Sequence, residues 1–293
     1  MINKDSAGDA PQSTISSGKN PVVAYLGPEG TYTHIAARQW FPDGATLLPA
    51  VDIHEIFTAV ENGQASHGVV PVENSIEGSV TATLDRFSGS DLKITAELLL
   101  PIRHCLMART GTSLADIHKV VSHQQSLGQC RHWLQTKLPG IEQLSVSSNA
   151  EAARLASEQQ GVAAIAGSTA SVLYGLQILA EGIADTEDNT TRFLLLERTS
   201  HARPSGSDKT SLFMLTTNTP GSLFRALEPF HRHSVNLNKL ESRPSRKAAW
   251  SYSFYLDIEG HADDEKVRAS LQELDALSIE VKLLGSYPTA GAL

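Results

Sequence analysis

Val22-Val23-Ala24-Tyr25-Leu26 runs directly into Gly27-Pro28-Glu29-Gly30-Thr31-Tyr32-Thr33, and this stretch sets the fold class of the chain. An apolar run of this length is a buried strand, the Gly-Pro-x-Gly turn ends it, and Ile35, Ala36 and Gln39-Trp40 follow at helical spacing. The result is a β-loop-α unit. It recurs downstream. Asp52 and Glu55 have capping-box spacing ahead of Ile53, Ile56, Phe57 and Val60, which share one helical face that Gly63 closes. Gly68-Val69-Val70-Pro71-Val72 is a short buried strand, and Val80, Leu84 and Phe87 continue as a helix.

After Leu100 the alternation starts again. Ile102 to Met107 and Lys119-Val120-Val121 read as strands, while Leu127, Cys130, Arg131, Leu134 and Leu138 are predicted on one helix that Pro139-Gly140 stops. Ser148 and Glu151 form a second capping box, Gly161 ends that helix, and Ala163-Ala164-Ile165-Ala166 is the next buried strand. Alternating blocks of this kind predict parallel sheets in two lobes with a cleft between them. Strand-to-helix junctions should face that cleft, because open α/β sheets bind ligands beyond the carboxyl ends of their strands. The apolar run that ends in Leu194-Leu195-Leu196 is expected to return to the first lobe.

Residues 199 to 209 are polar and aperiodic and read as a linker. Beyond them the order is strand (Ser211 to Thr216), helix from near Gly221, strand (Leu237 to Leu240), an alternating strand on Trp250, Tyr252, Phe254, Leu256 and Ile258, helix (Asp264 to Leu274) and strand (Ile279 to Leu283). That order predicts a βαββαβ module.

The chain has 293 residues, 41% of them hydrophobic, enough for about two domains with large cores. A net charge of −8 argues against nucleic acid, whose phosphates need a basic face. It also means that an anionic ligand must be held by local donors such as helix N-termini, backbone amides and a few cations. Cys105 and Cys130 are too few for a disulfide framework or zinc site and fit a reducing cytoplasm as buried small hydrophobes. Residues 1–20, rich in Ser, Gly and Asp, lack the apolar stretch of a signal peptide and read as a disordered tail. No apolar window spans a bilayer, since Pro101 interrupts the run through Leu98-Leu99-Leu100.

Three junction segments join the first: Pro71-Val72-Glu73-Asn74-Ser75-Ile76-Glu77-Gly78-Ser79, Ser122-His123-Gln124-Gln125-Ser126-Leu127-Gly128-Gln129, and Asn189-Thr190-Thr191-Arg192-Phe193. In the last, a hydroxyl and a guanidinium stand at the mouth of a buried strand, a proton donor beside an anion clamp on rigid backbone. Taken in this order the four segments resemble prephenate dehydratase, from Val22 to about Leu284. Thr219-Pro220-Gly221-Ser222-Leu223 and Asn236 to Pro244 look like the two effector motifs of the ACT domain in phenylalanine-sensitive enzymes. The Glu241-Ser242-Arg243-Pro244 match is complete, while Ser222 stands where the family usually has alanine.

The resemblance implies an α/β fold: a two-lobed, periplasmic-binding-protein-like catalytic domain over residues 21–198 (lobe 1 about 21–100 and 189–198, lobe 2 about 101–188) and a ferredoxin-like ACT domain over 210–287. It implies that prephenate loses carboxylate and hydroxide together to give phenylpyruvate, with no metal or other cofactor. Thr191, Asn74, Ser122 and Gln129 are then the catalytic residues. Thr31, Ser75, Arg192, Phe193, His123 and Gln124 bind substrate, and Gly221, Ser222, Leu223, Asn236, Leu237, Glu241, Ser242, Arg243 and Pro244 bind L-phenylalanine. Glu73 and Glu77 read as capping or supporting groups, because a carboxylate repels a dianion. A cytoplasmic homodimer or homotetramer with no nucleic-acid or membrane partner is expected, monofunctional because no chorismate mutase segment is evident. A chain ending near Ser200, if it stays folded, is expected to keep activity and lose the response to phenylalanine. The alternatives are an arogenate dehydratase, or a two-lobed amino-acid sensor without turnover.

Overall fold

A computed structural model describes residues 20–42, 44–200, 202–216, 218–244, 252–277 and 279–291. The expected tail, except Asn20, and Trp250 of the expected alternating strand lie outside the described residues.

The chain opens with β1 (Val22–Leu26), α1 (Tyr32–Trp40), β2 (Thr46–Ala50), α2 (Ile53–Glu61), β3 (His67–Asn74), β4 (Gly78–Ser79), α3 (Thr81–Phe87) and β5 (Lys93–Pro101). The caps are those the spacing predicts: the Glu55 amide donates to the Asp52 carboxylate at 2.8 Å. It then builds β6 (Cys105–Arg109), β7 (Lys119–His123), α4 (Gln124–Gln129), α5 (Arg131–Lys137), β8 (Glu142–Val146), α6 (Asn149–Glu158), β9 (Val162–Ala166), α7 (Ser168–Tyr174) and β10 (Leu176–Ala180). Where one helix was expected from Leu127 to Leu138 there are two, because the backbone at Cys130 leaves helical geometry (φ −113°, ψ 15°).

β11 (Thr190–Glu197) returns to the first sheet, whose order is β2-β1-β3-β11-β5, with β4 on β3. The second sheet is β10-β6-β9-β7-β8. Neither is all-parallel. β11 pairs antiparallel with both β3 and β5, and β6 pairs antiparallel with β9 and β10, while the β1 and β7 pairings are parallel. The parallel expectation fails at these strands because a strand arriving from the other lobe enters without a crossover helix to set its direction. The chain crosses between lobes twice, and the crossings are tied side by side by Ile102 N–H to the Asn189 carbonyl (2.7 Å) and Ile183 N–H to the His104 carbonyl (3.1 Å).

The third unit is β12 (Asp208–Thr216), α8 (Ser222–Arg232), β13 (Leu237–Pro244), β14 (Tyr252–Glu259), α9 (Glu265–Ala276) and β15 (Glu280–Pro288), an antiparallel sheet in the order β13-β14-β12-β15. Its helices pack on one face, where Leu212, Phe230, Leu256 and Val267 are buried. Its other face packs on lobe 1. Phe213, Tyr255, Leu284 and Tyr287 belong to one buried cluster with Phe57, Phe87, Ile94, Leu194 and Leu196. Each such side chain contributes about 1.5–3 kcal/mol by leaving water. At Gly285 the contact is backbone to backbone, since an added Cβ would collide with the Ile94 carbonyl oxygen. A core shared in this way bears on the folding condition attached to a chain ending near Ser200, because that chain would lose the cluster's packing partners from the third sheet.

Candidate active site

Between the two lobes lies a cavity of about 990 Å³. Side chains alternate along β11, so Thr191 and Phe193 face this cleft and Arg192 faces the opposite way. Phe193 packs with Trp40 and Val69 behind the site, and Leu194 and Leu196 join the cluster shared with the third sheet.

Asn74 ends β3 opposite Thr191, and its amide donates to Thr191 Oγ1 at 2.9 Å and to Asn189 Oδ1 at 2.7 Å. The orientation of this amide is fixed, because its Oδ1 accepts the backbone N–H groups of Ile76 and Glu77, each at 3.0 Å. Thr191 Oγ1 is therefore an acceptor in this pair, and its own proton is left to point elsewhere. Gln129 joins the lobes: its Nε2 donates to Glu77 Oε1 (3.2 Å), and its Oε1 accepts from Asn189 Nδ2 (3.1 Å) and pairs with His104 Nε2 (2.8 Å). That arrangement assigns the His104 proton to Nε2. Burial of the imidazole lowers its pKa, only partly offset by the Gln129 hydrogen bond, so the ring is neutral near pH 7. Tyr32 OH lies 3.3 Å from His104 Nδ1 and 3.0 Å from the Arg103 carbonyl.

Thr31 lines the cleft as the N-cap of α1, with its hydroxyl donating to the Leu26 carbonyl at 2.8 Å and accepting from His34 N–H at 3.3 Å. His123 lines the cleft as the N-cap of α4. Four expected residues are not brought there. Ser122 is fully buried beneath the wall and donates to the Ile165 carbonyl at 2.7 Å. Gln124 is exposed outside the lining. Ser75 ties the β3–β4 turn to β11, donating to the Asp188 carbonyl (2.8 Å) and accepting from Thr190 N–H (2.9 Å).

Arg192 is the largest correction. It is buried against the third sheet, with Nε donating to Glu97 Oε2 at 2.6 Å, Nη1 paired with Asp257 and Nη2 donating to Tyr287 OH at 2.9 Å. Lys209 Nζ adds a second cation 2.8 Å from Glu97. Burial alone would raise the Glu97 pKa, but the two cations outweigh it and hold the carboxyl below its ordinary value. The strand period of two carried this signal: a cleft-facing Thr191 sends its neighbour to the far side.

Sequence reasoning missed four lining residues: Asn189 and Ser126 sit inside the quoted junction motifs but were given no role, while His104 and Asn149 sit in no recognisable motif. The cleft also holds no Lys or Arg among its described lining residues. The buried thiols Cys105 and Cys130 do not line it, and burial pushes Cys130 up to about 12.

The expected effector segments are structured differently from each other. Gly221 takes a left-handed conformation (φ 79°) ahead of α8, with Ser222 buried and Leu223 packed on the helix face of the third sheet. Asn236 Nδ2 donates to Glu259 at 3.0 Å and to Asn238 at 3.2 Å. On edge strand β13, Leu237 is half-buried and Ser242 and Pro244 are exposed. Glu241 accepts from Ser79 Oγ (2.9 Å) and Arg243 pairs with Asp85 (3.1 Å), so both reach lobe 1.

Residues 23–201 match the family model described as prephenate dehydratase, and residues 210–276 match the ACT domain. The chain belongs to the prephenate dehydratase family. It is 45% identical over 276 residues to the bifunctional chorismate mutase/prephenate dehydratase of Aquifex aeolicus, covering 94% of this chain and 76% of that protein. It is 40% identical to the prephenate dehydratase of Corynebacterium glutamicum, covering 92% and 88%. Among solved structures, the prephenate dehydratase of Arthrobacter aurescens in complex with L-Phe superposes with a TM-score of 0.86 at 36% identity, covering 93% of this chain and 91% of that one. As a prephenate dehydratase the protein is a lyase with a two-lobed α/β catalytic fold and a C-terminal ACT domain. Among the described residues, no helix is long and apolar enough to cross a membrane.

Proposed function

We propose that Thr191 assists departure of the prephenate hydroxyl within the interlobe cleft. The reaction takes prephenate dianion and one proton to phenylpyruvate anion, carbon dioxide and water. As the bond to the ring carboxylate breaks, its electron pair enters the ring and expels the hydroxyl from the opposite carbon, and aromatisation drives the step. The protein orients the dianion, gives the departing oxygen a proton-bearing partner and limits water near the leaving carboxylate. The observation that carries the reading is the fixed Asn74 amide donating to Thr191 Oγ1, which leaves the threonine proton for the departing oxygen. Gln129, spanning Glu77 and Asn189, holds the lobes in register around that oxygen.

Residues 21–198 form the catalytic unit and 210–287 the regulatory unit in this reading, joined by 199–209, of which Asp208 and Lys209 already belong to β12. L-phenylalanine is the effector in this reading, a ligand with which the Arthrobacter aurescens relative was solved, and the left-handed turn at Gly221 and the Asn236 amide are its place on the regulatory unit. Phe224, 70% exposed on α8, marks a surface suited to pairing between copies in a cytoplasmic homodimer or homotetramer. The test is direct: purified protein is mixed with prephenate and phenylpyruvate is followed by its absorbance in alkali. Thr191→Val should lower kcat about a hundredfold or more at unchanged melting temperature, as for loss of one preorganised donor. Near-normal kcat in the folded variant would remove Thr191 from the chemistry.

A further inference from the structure

Asn149 opens α6 on the lobe 2 wall of the cleft. It is not the helix cap: Ser148 fills that role, accepting from Glu151 N–H at 3.0 Å. The Asn149 side-chain oxygen, Oδ1, is instead engaged by the β7–α4 junction. His123 N–H donates to it at 3.2 Å, Ser126 Oγ at 3.0 Å, and the buried Ser122 hydroxyl, shared with the Ile165 carbonyl, lies 3.0 Å away. A backbone N–H can only donate, so the amide oxygen must face the junction and the amide nitrogen must face away. Among the described residues Nδ2 makes no hydrogen bond, and it is not one of the buried atoms lacking a partner, so it is open to the cleft that Asn149 lines.

We propose that Asn149 Nδ2 donates to a carboxylate of the bound substrate, and that Ser122 is a positioning residue that acts through Asn149. This rests on the reading of the cleft as the prephenate site. A dianion enters a cavity whose described lining has no Lys or Arg, so its recognition falls to neutral donors and helix starts. Asn149 combines both, a fixed donor on the first turn of a ten-residue helix. The buried Ser122, which cannot touch substrate, thereby acquires a role.

Asn149→Asp tests this, because it keeps an oxygen for His123 and Ser126 while replacing the donor with a charge of the substrate's own sign. The KM for prephenate should rise about thirtyfold or more, with a much smaller change in kcat, as for lost ground-state binding. Asn149→Ala should raise KM about tenfold, and Ser122→Ala a few-fold with kcat kept, consistent with a lost hydrogen bond and a loosened one. A merely structural role would instead lower the melting temperature and leave the KM of the folded fraction unchanged. A KM within twofold of wild type in folded Asn149→Asp, or in folded Asn149→Ala should the aspartate variant not fold, overturns the inference alone. Failure of the wild-type protein itself to turn over prephenate overturns the inference together with the reading beneath it.

Discussion

Lobe 1 meets its two neighbours in opposite ways. Across the cleft, lobe 2 touches it through polar contacts such as Gln129 to Glu77 at 3.2 Å and Tyr174 OH to the Glu29 carbonyl at 3.1 Å, around an open cavity. On the other side, the third sheet shares a continuous apolar core with it, lays Gly285 against the Ile94 backbone and buries Arg192 between Glu97 and Asp257. Packed cores do not slide continuously, whereas sparse polar contacts re-form at low cost. Lobe 2 is therefore the part free to open and close, and the third sheet moves with lobe 1. An effector on the third sheet must act through the strands the two units share, above all β11, which carries Thr191 on one face and Arg192 on the other.

The strongest way to break this contrast is to remove the third sheet. A chain ending at Ser200 exposes Phe87, Ile94, Leu194 and Leu196 and strips the Asp257 and Tyr287 partners from Arg192. Loss of cooperative folding is expected, read by thermal unfolding and circular dichroism. A soluble fragment with a sharp melt and wild-type KM would show that the shared core is dispensable.

Next in size is Arg192→Leu, which leaves Glu97 and Asp257 buried without the guanidinium. Removing one partner of a buried pair costs about 3–5 kcal/mol. The midpoint of urea unfolding should fall accordingly, and kcat should fall with it only as β11 loosens. A variant as stable as wild type would mean that Lys209 alone satisfies Glu97 and that the hub is not what joins the units.

The second of these expectations differs from what the sequence suggested, the first turns on a folding condition that the sequence left open, and the reasons are local. Strands, helices and caps were legible because apolar runs, Asp52 and Ser148 act within a few residues. Thr191, Asn74 and Gln129 meet in the cleft as the motifs implied. The direction of β11, the break at Cys130 and the destination of Arg192 were not read, because each is set by a partner far along the chain. Asn149 and His104 carry no motif at all, and only the fold brings them to the cleft that Thr191 lines.

A milder contrast lies in pH. Glu97, with its pKa held below the ordinary value, contributes stability that is present above the unfolded carboxylate pKa and lost only as pH falls through the lower folded value. The pairs that Glu97 makes with Arg192 and Lys209 therefore survive mild acid. His104 has its pKa lowered chiefly by burial, so below about pH 6.5 the unfolded chain binds a proton that the folded chain does not, and stability falls as pH drops. His34 and His67 are shifted the same way, also chiefly by burial. Melting temperature should decline between pH 7.5 and 5.5, and His104→Asn should flatten that slope. An unchanged slope in the variant would place the titrating groups elsewhere.

The smallest expected effect concerns the wall that both regions share. Lys239, on edge strand β13, pairs with Glu73 at 2.8 Å and reaches Ser79 Oγ at 3.0 Å, and Ser79 in turn lines the cleft. Glu73 is 39% exposed, so the pair is worth no more than about 1 kcal/mol. Lys239→Met should barely alter folding or prephenate turnover in the absence of effector. If phenylalanine acts by displacing β13 against the β3–β4 wall, the variant should weaken inhibition several-fold while leaving phenylalanine affinity largely intact, because coupling energies of about 1–3 kcal/mol are of the same size as the contact removed. Titration calorimetry would measure the affinity and the prephenate assay the inhibition. Inhibition retained in full would route the signal away from this contact and through β11, where Arg192 already joins the third sheet to the strand that holds Thr191.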